Sequence, residues 1–147
     1  MECSGTIIGT TTDPLSYTVQ GSYRVTWHFN DGNGNEATQQ QAVIVTLLPT
    51  ILTYSGDTSG VAGRRVALKA VLMATSTASP LEGKPVTFTL GNQSADAVTN
   101  RKGVASTSLV LNQAMGTYTV NAIFSADCPY AATSISSQFI INPSRKP

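Results

Sequence analysis

The sequence predicts an all-β protein built as two β-sandwich units in tandem, the first of them incomplete. Three observations predict it. Apolar and polar residues alternate along most of the 147 residues, no window sustains a helical period, and one strand pattern occurs twice. Alternation sends successive side chains to opposite faces of a pleated strand. Val, Thr, Ile and Tyr dominate the alternating runs, and these residues suit a sheet.

The chain opens with two weak candidates for short strands, GTIIGT (5–10) and LSYTV (15–19). The first strong strand is GSYRVTWHF (21–29). It places Tyr23, Val25, Trp27 and Phe29 on one face and Arg24, Thr26 and His28 on the other. A polar stretch follows, Asp31-Gly32-Asn33-Gly34-Asn35, and then a closing strand, QAVIVTLL (41–48). Beyond Leu48-Pro49-Thr50 the alternation resumes. Val66, Leu68, Ala70 and Leu72 share one face of a strand; Val86, Phe88 and Leu90 do so in the next; Tyr118, Val120, Ala122 and Phe124 in a third. The intervening YSGDTSG, SPLEG, RKG and DCPY carry the Gly, Pro, Asp and Ser that turns require.

The repeat sets the domain organisation. GSYRVTWHF at 21–29 aligns with GTYTVNAIF at 116–124, and each is followed by a turn and a closing strand, the second being SSQFIIN (136–142). From Phe29 to Leu47 and from Phe124 to Asn142 the separation is 18 residues in both copies. Two units follow, residues 1–48 and 49–147. The second hairpin has about 65 residues before it, room for some five further strands of ordinary length. The first has only the twenty residues before Gly21, so the first unit amounts to about half a sandwich. In a Greek-key sandwich the penultimate strand often carries a tyrosine whose hydroxyl reaches back to the preceding backbone. Tyr23 and Tyr118 stand where such a corner would sit; each also reads as one more inward-facing aromatic.

Composition narrows the function classes. Apolar residues make up 41% and charged residues 12%, the latter about half the usual share. Formal net charge is +1, and no basic run exceeds Arg64-Arg65 or Arg101-Lys102, so no nucleic-acid face is expected. No apolar run is long enough to span a bilayer and no signal peptide is visible; either one has been removed or the chain is a piece of something longer. His28 is the single histidine and falls on the polar face of its strand. No carboxylate pair, G-x-S-x-G elbow or phosphate loop occurs, and the reading is non-enzymatic.

Asp31, Asn33 and Asn35 alternate with glycines like the first half of a calcium loop. An EF-hand loop needs Gly at its sixth position and Glu at its twelfth; counted from Asp31 these are Glu36 and Ala42. The pattern fails, and Asp-Gly and Asn-Gly read instead as a hairpin tip. Asp31, Asn33 and Asn35 remain weak calcium candidates because oxygen ligands cluster there; no other cofactor is expected. Asn92-Gln93-Ser94 forms a glycosylation sequon, with Asn92 as its acceptor. Cys3 and Cys128 match no zinc spacing; they pair with each other, pair between chains, or stay reduced.

The first part of the chain resembles the C-terminal half of a hyalin-repeat-like module of large secreted bacterial surface proteins. The marks are Cys3-Ser4-Gly5, Asp13-Pro14, the Gly21–Phe29 strand and the Asp31–Asn35 turn. The rest is similar to a bacterial Ig-like domain of the invasin or intimin type, on Thr53-Tyr54-Ser55-Gly56-Asp57, LEGKPVTFTL (81–90), Lys102-Gly103-Val104-Ala105 and Gly116-Thr117-Tyr118. The resemblance implies tandem Ig-like Greek-key units, an extracellular or cell-surface setting, and a structural or adhesive role. Two departures stand out. The earlier half of the first module is absent, with the cysteine that would partner Cys3, and Cys128 is an addition to its turn. The expectation for partners is self-association. With half its sandwich missing, the apolar face of Tyr23, Val25, Trp27 and Phe29 would be completed by a neighbouring chain, by strand addition or face packing, head-to-tail into an oligomer or filament. The alternatives are a module binding a surface glycan or host protein, and a fragment of a long repeat adhesin.

Overall fold

The computed structural model describes residues 6–144. It is all-β, with twelve strands: β1 Gly9–Thr10, β2 Gly21–Asn30, β3 Glu36–Val45, β4 Thr50–Tyr54, β5 Ser59–Val61, β6 Arg65–Ala74, β7 Ser79–Pro80, β8 Pro85–Leu90, β9 Gln93–Val98, β10 Val104–Val110, β11 Gly116–Phe124 and β12 Thr133–Asn142. The chain divides into two compact units at Leu47/Leu48.

The second unit is an Ig-like Greek-key sandwich. One sheet has the order β10-β6-β4, with β7 also on β6; the facing sheet has the order β5-β12-β11-β8-β9. All pairings are antiparallel except β5 on β12. The core lies between the sheets and consists of the alternating residues that the sequence puts on one face. Val66, Leu68, Ala70 and Leu72 come from β6, and Val86, Phe88 and Leu90 from β8. Val120, Ala122 and Phe124 come from β11, Phe139 and Ile141 from β12. Close packing is tight enough that Gly60 admits no side chain. A Cβ there would lie 2.5 Å from Val66 and 2.7 Å from Leu111.

The first unit is a single antiparallel sheet, β1-β2-β3. The β2–β3 hairpin is long and regular, pairing Gly21 with Val45 through Asn30 with Glu36. β1 covers only the end of β2, at His28 and Phe29. Val25 is the one buried hydrophobic residue among the described residues of this unit, against seventeen in the core of the other.

The expected strand at 15–19 does not form. Leu15 and Val19 are exposed, and residues 11–20 are held by side-chain bonds instead of a ladder. The Asp13 carboxylate accepts from the Thr26 N–H at 2.7 Å, which occupies a donor on β2's open edge. The Tyr17 ring stacks on Tyr23 at 4.4 Å between centroids. A carboxylate bonded to the edge blunts it without a further strand.

Candidate functional site

The two repeated hairpins carry the same corner. The Tyr23 hydroxyl donates to the Val19 carbonyl at 2.8 Å, and the Tyr118 hydroxyl donates to the Ala114 carbonyl at 3.0 Å, four residues back in both units. Each ring lies over a glycine two residues earlier, Gly21 or Gly116. The tyrosines pin the loop entering the penultimate strand, and so fix the register at which that strand joins its sheet.

Register decides what lies on the face of β2. Tyr23, Val25, Trp27 and Phe29 point to one side as their alternation requires. Their cross-strand partners on β3 are Val43, Gln41, Gln39 and Ala37. Two glutamines thus flank the tryptophan, whose indole Nε1–H donates to the Gln41 Oε1 at 3.0 Å. The expected apolar face is therefore a mixed one, apolar at its ends and amide-rich at its centre. It is also less open than expected. Val25 is buried, while Tyr23, Trp27 and Phe29 are half-buried. Tyr17 covers Tyr23, and the Gly9 backbone lies so close to the Phe29 ring that a Cβ there would be 2.7 Å from it. No sequence pattern announces the glutamines, because β3 alternates with its partner only after the hairpin register is known.

Asp31, Asn33 and Asn35 form the tip of the β2–β3 hairpin. The Asp31 Oδ1 accepts from the main-chain N–H of Asn33 at 2.8 Å and of Asn35 at 3.1 Å, and Oδ2 accepts from the Asn35 side-chain amide at 2.6 Å. Gly32 and Gly34 take positive φ, 77° and 95°. The hydrogen bonds, that of the Asn35 side chain first, hold the Asp31 carboxyl below the usual carboxylate range. Three hydrogen bonds to this carboxylate fold the turn back on itself. Among the described residues, no three His, Cys, Asp or Glu side chains gather to hold a metal.

Asn92 sits at the two-residue tip between β8 and β9, exposed, and its side-chain oxygen accepts from the Gln113 amide at 3.1 Å. Cys128 is exposed in the turn between β11 and β12 and has no disulfide partner among the described residues. It adjoins Pro129, whose carbonyl accepts from the Leu48 N–H at 2.7 Å, so the thiol lies where the chain enters the second unit. Cys3 lies outside the described residues. The same turn is held by Lys84, which donates to the Asp127 carboxylate at 2.6 Å and lies 5.2 Å from the centroid of the Tyr130 ring.

No family model matches the chain, and no curated protein does. Among solved structures it is similar to the fibronectin(III)-like modules of Clostridium thermocellum CbhA, at 14% identity and a TM-score of 0.47, covering 84% of this chain and 64% of that one. It is similar to the Yersinia pseudotuberculosis adhesin InvE, at 14% identity and a TM-score of 0.48, covering 91% of this chain and 48% of that one. It is also similar to the Bacteroides ovatus mixed-linkage glucan utilization locus SGBP-B in complex with a mixed-linkage heptasaccharide, at 15% identity and a TM-score of 0.33, covering 93% and 36%. The chain thus spans less than two thirds of each of these structures.

Proposed function

We propose that this protein is a non-catalytic extracellular module of structural or adhesive type, in which the first unit is the closing half of a hyalin-repeat-like sandwich and is completed by a neighbouring chain. The observation that carries the reading is the contrast between the units. Both end in the same tyrosine-cornered hairpin. In the second unit a facing sheet buries that hairpin's inner side; in the first, Tyr23, Trp27 and Phe29 are left half-buried. Fully burying side chains of this size is worth about 1.5–3 kcal/mol each, so a surface that covers them gains from every one. A second copy offering its own exposed surface makes the contact head-to-tail, and such contacts propagate unless they close into a ring. In an oxidising setting Cys128 adds a thiol through which Cys3 or a neighbouring chain is stapled to the second unit.

Negative-stain microscopy of the purified chain over a rising concentration series tests this. Rings or fibres that lengthen with concentration are expected. Single particles of monomer size throughout the series would contradict the assembly reading. Non-reducing gels of the same material read the staple: a ladder that collapses on reduction places it between chains, and an accelerated monomer band places it within one.

A further inference from the structure

We infer that the open edge of β3 is a pairing surface for the β3 of a second copy, the two strands running antiparallel about a two-fold axis at Gln40. This is separate from the head-to-tail reading above: it uses the strand edge rather than the sheet face, and it stops at two copies.

β3 is ten residues long, and no described residue makes a main-chain hydrogen bond to its outer edge. Protein sheets defend such edges with short strands, lysine, proline or bulges. Most of the other outer strands follow that rule; β10 is the exception, seven uncharged residues, shorter than β3 and met at its end by the Gln93 amide, which donates to the Val110 carbonyl at 2.9 Å. β5 is three residues long, β4 is five and follows Pro49, and β9 is six and carries Asp96. β12, the counterpart of β3 in the second unit, is met by β5 over Ile140–Asn142. β3, with the sequence EATQQQAVIV, has none of these devices, and its single charge is Glu36 at one end.

The phase of the hairpin fixes which groups the edge presents. The Thr26 N–H points away from β3, to Asp13, and the Asp31 N–H donates to the Asn35 carbonyl at the tip. The odd-numbered residues therefore carry the β2–β3 ladder. The even-numbered residues Glu36, Thr38, Gln40, Ala42 and Ile44 turn their N–H and C=O groups outward. An added antiparallel copy must match even to even. Centred on Gln40, that register pairs Gln40 with the second copy's Gln40, Thr38 with its Ala42 and Glu36 with its Ile44, about ten main-chain hydrogen bonds in all.

The side chains suit this register. On the face of Trp27, Gln39 meets the second copy's Gln41, amide to amide, and Ala37 meets its Val43, apolar to apolar. Matching parity keeps both Trp27 faces on one side of a continuous six-stranded sheet. The charges agree as well. A parallel pairing would set Glu36 against Glu36, whereas the two-fold sends the two carboxylates to opposite ends. Each then lies on the same face as the other copy's Arg24, about 12 Å away between Cα atoms by strand spacing, a gap that the two long side chains span.

Disulfide trapping tests the register in the full chain with Cys3→Ser and Cys128→Ser. In that background Gln40→Cys should oxidise to a covalent dimer as its main species on a non-reducing gel, since residue 40 faces itself. Thr38→Cys and Ala42→Cys should each stay monomeric alone and cross-link when mixed. The inference is overturned if Gln40→Cys stays monomeric, if Thr38→Cys alone cross-links as completely as Gln40→Cys, or if the mixture does not. A charge swap reads the same contact without cysteine chemistry. Sedimentation of Gln40→Lys or Gln40→Glu alone should lose the β3-mediated pair at concentrations where the parent keeps it, and a one-to-one mixture should restore it. A parent whose pairing is unchanged by Gln40→Lys uses another surface and overturns the inference.

Discussion

Two tyrosines with the same hydroxyl chemistry do different work in this molecule. Tyr118 donates to Ala114 and holds a loop against its strand. Its removal by Tyr118→Phe keeps the ring and loses one hydrogen bond, a cost of about 0.5–1.5 kcal/mol that thermal melting of the second unit should show. Tyr54 donates to the Asp57 carbonyl at 2.7 Å. Burial first, and the Asp57 charge second, push its phenol up to about 12. The folded state therefore holds this proton more tightly than the unfolded chain does. Its contribution to stability is fully present below the ordinary phenol range near pH 10 and is lost as pH rises from there through about 12. Ultraviolet titration of the folded chain should show a late phase that Tyr54→Phe removes and that Asp57→Asn brings part of the way down. Asp31 works in the opposite sense. Its lowered carboxyl steadies the hairpin tip at neutral pH, and that help disappears as pH falls through its folded-state value.

At the scale of elements, glycine and register set what the strands can do. Gly103 stands at φ 72°, and a Cβ there would meet the Leu72 carbonyl at 2.5 Å. Gly103→Ala should therefore destabilise the second unit by more than about 1 kcal/mol, read as a lower denaturation midpoint with an unchanged slope. The β2–β3 hairpin tip closes on its own hydrogen bonds, so adding calcium or a chelator should leave the melting temperature where it was. Much of the sandwich was legible in the sequence. The faces of β6, β8 and β11 follow directly from their alternation, and the repeated Gly-x-Tyr pattern located both hairpins. The elements that were not legible lack that signal. β5 is Ser-Gly-Val, held by its place beside β12 rather than by a pattern of its own. Leu15 and Val19 imitate an alternating strand, yet Asp13 and Tyr17 fasten that segment to β2 by side chains. The amide-rich centre of the candidate face was invisible for a different reason. Gln39 and Gln41 become neighbours of Trp27 only through cross-strand register, which a linear reading cannot supply.

For the whole molecule, the two units differ in how far they can stand alone. The second has a continuous two-layer core; among its described residues the first has one sheet, one buried hydrophobic side chain and a ladder open along β3. A three-stranded sheet with one face half covered is near the lower limit of independent stability. If a neighbouring chain completes the first unit, that unit owes its order to association while the second does not. Native-state hydrogen exchange, followed residue by residue over a wide range of protein concentration, distinguishes the two. Amides of β11 and β12 should keep the same strong protection at every concentration. Those of β2 and β3 should be weakly protected when dilute and gain protection as concentration rises. Protection of β2 and β3 as strong as that of β11 and β12, and independent of concentration, would contradict the claim.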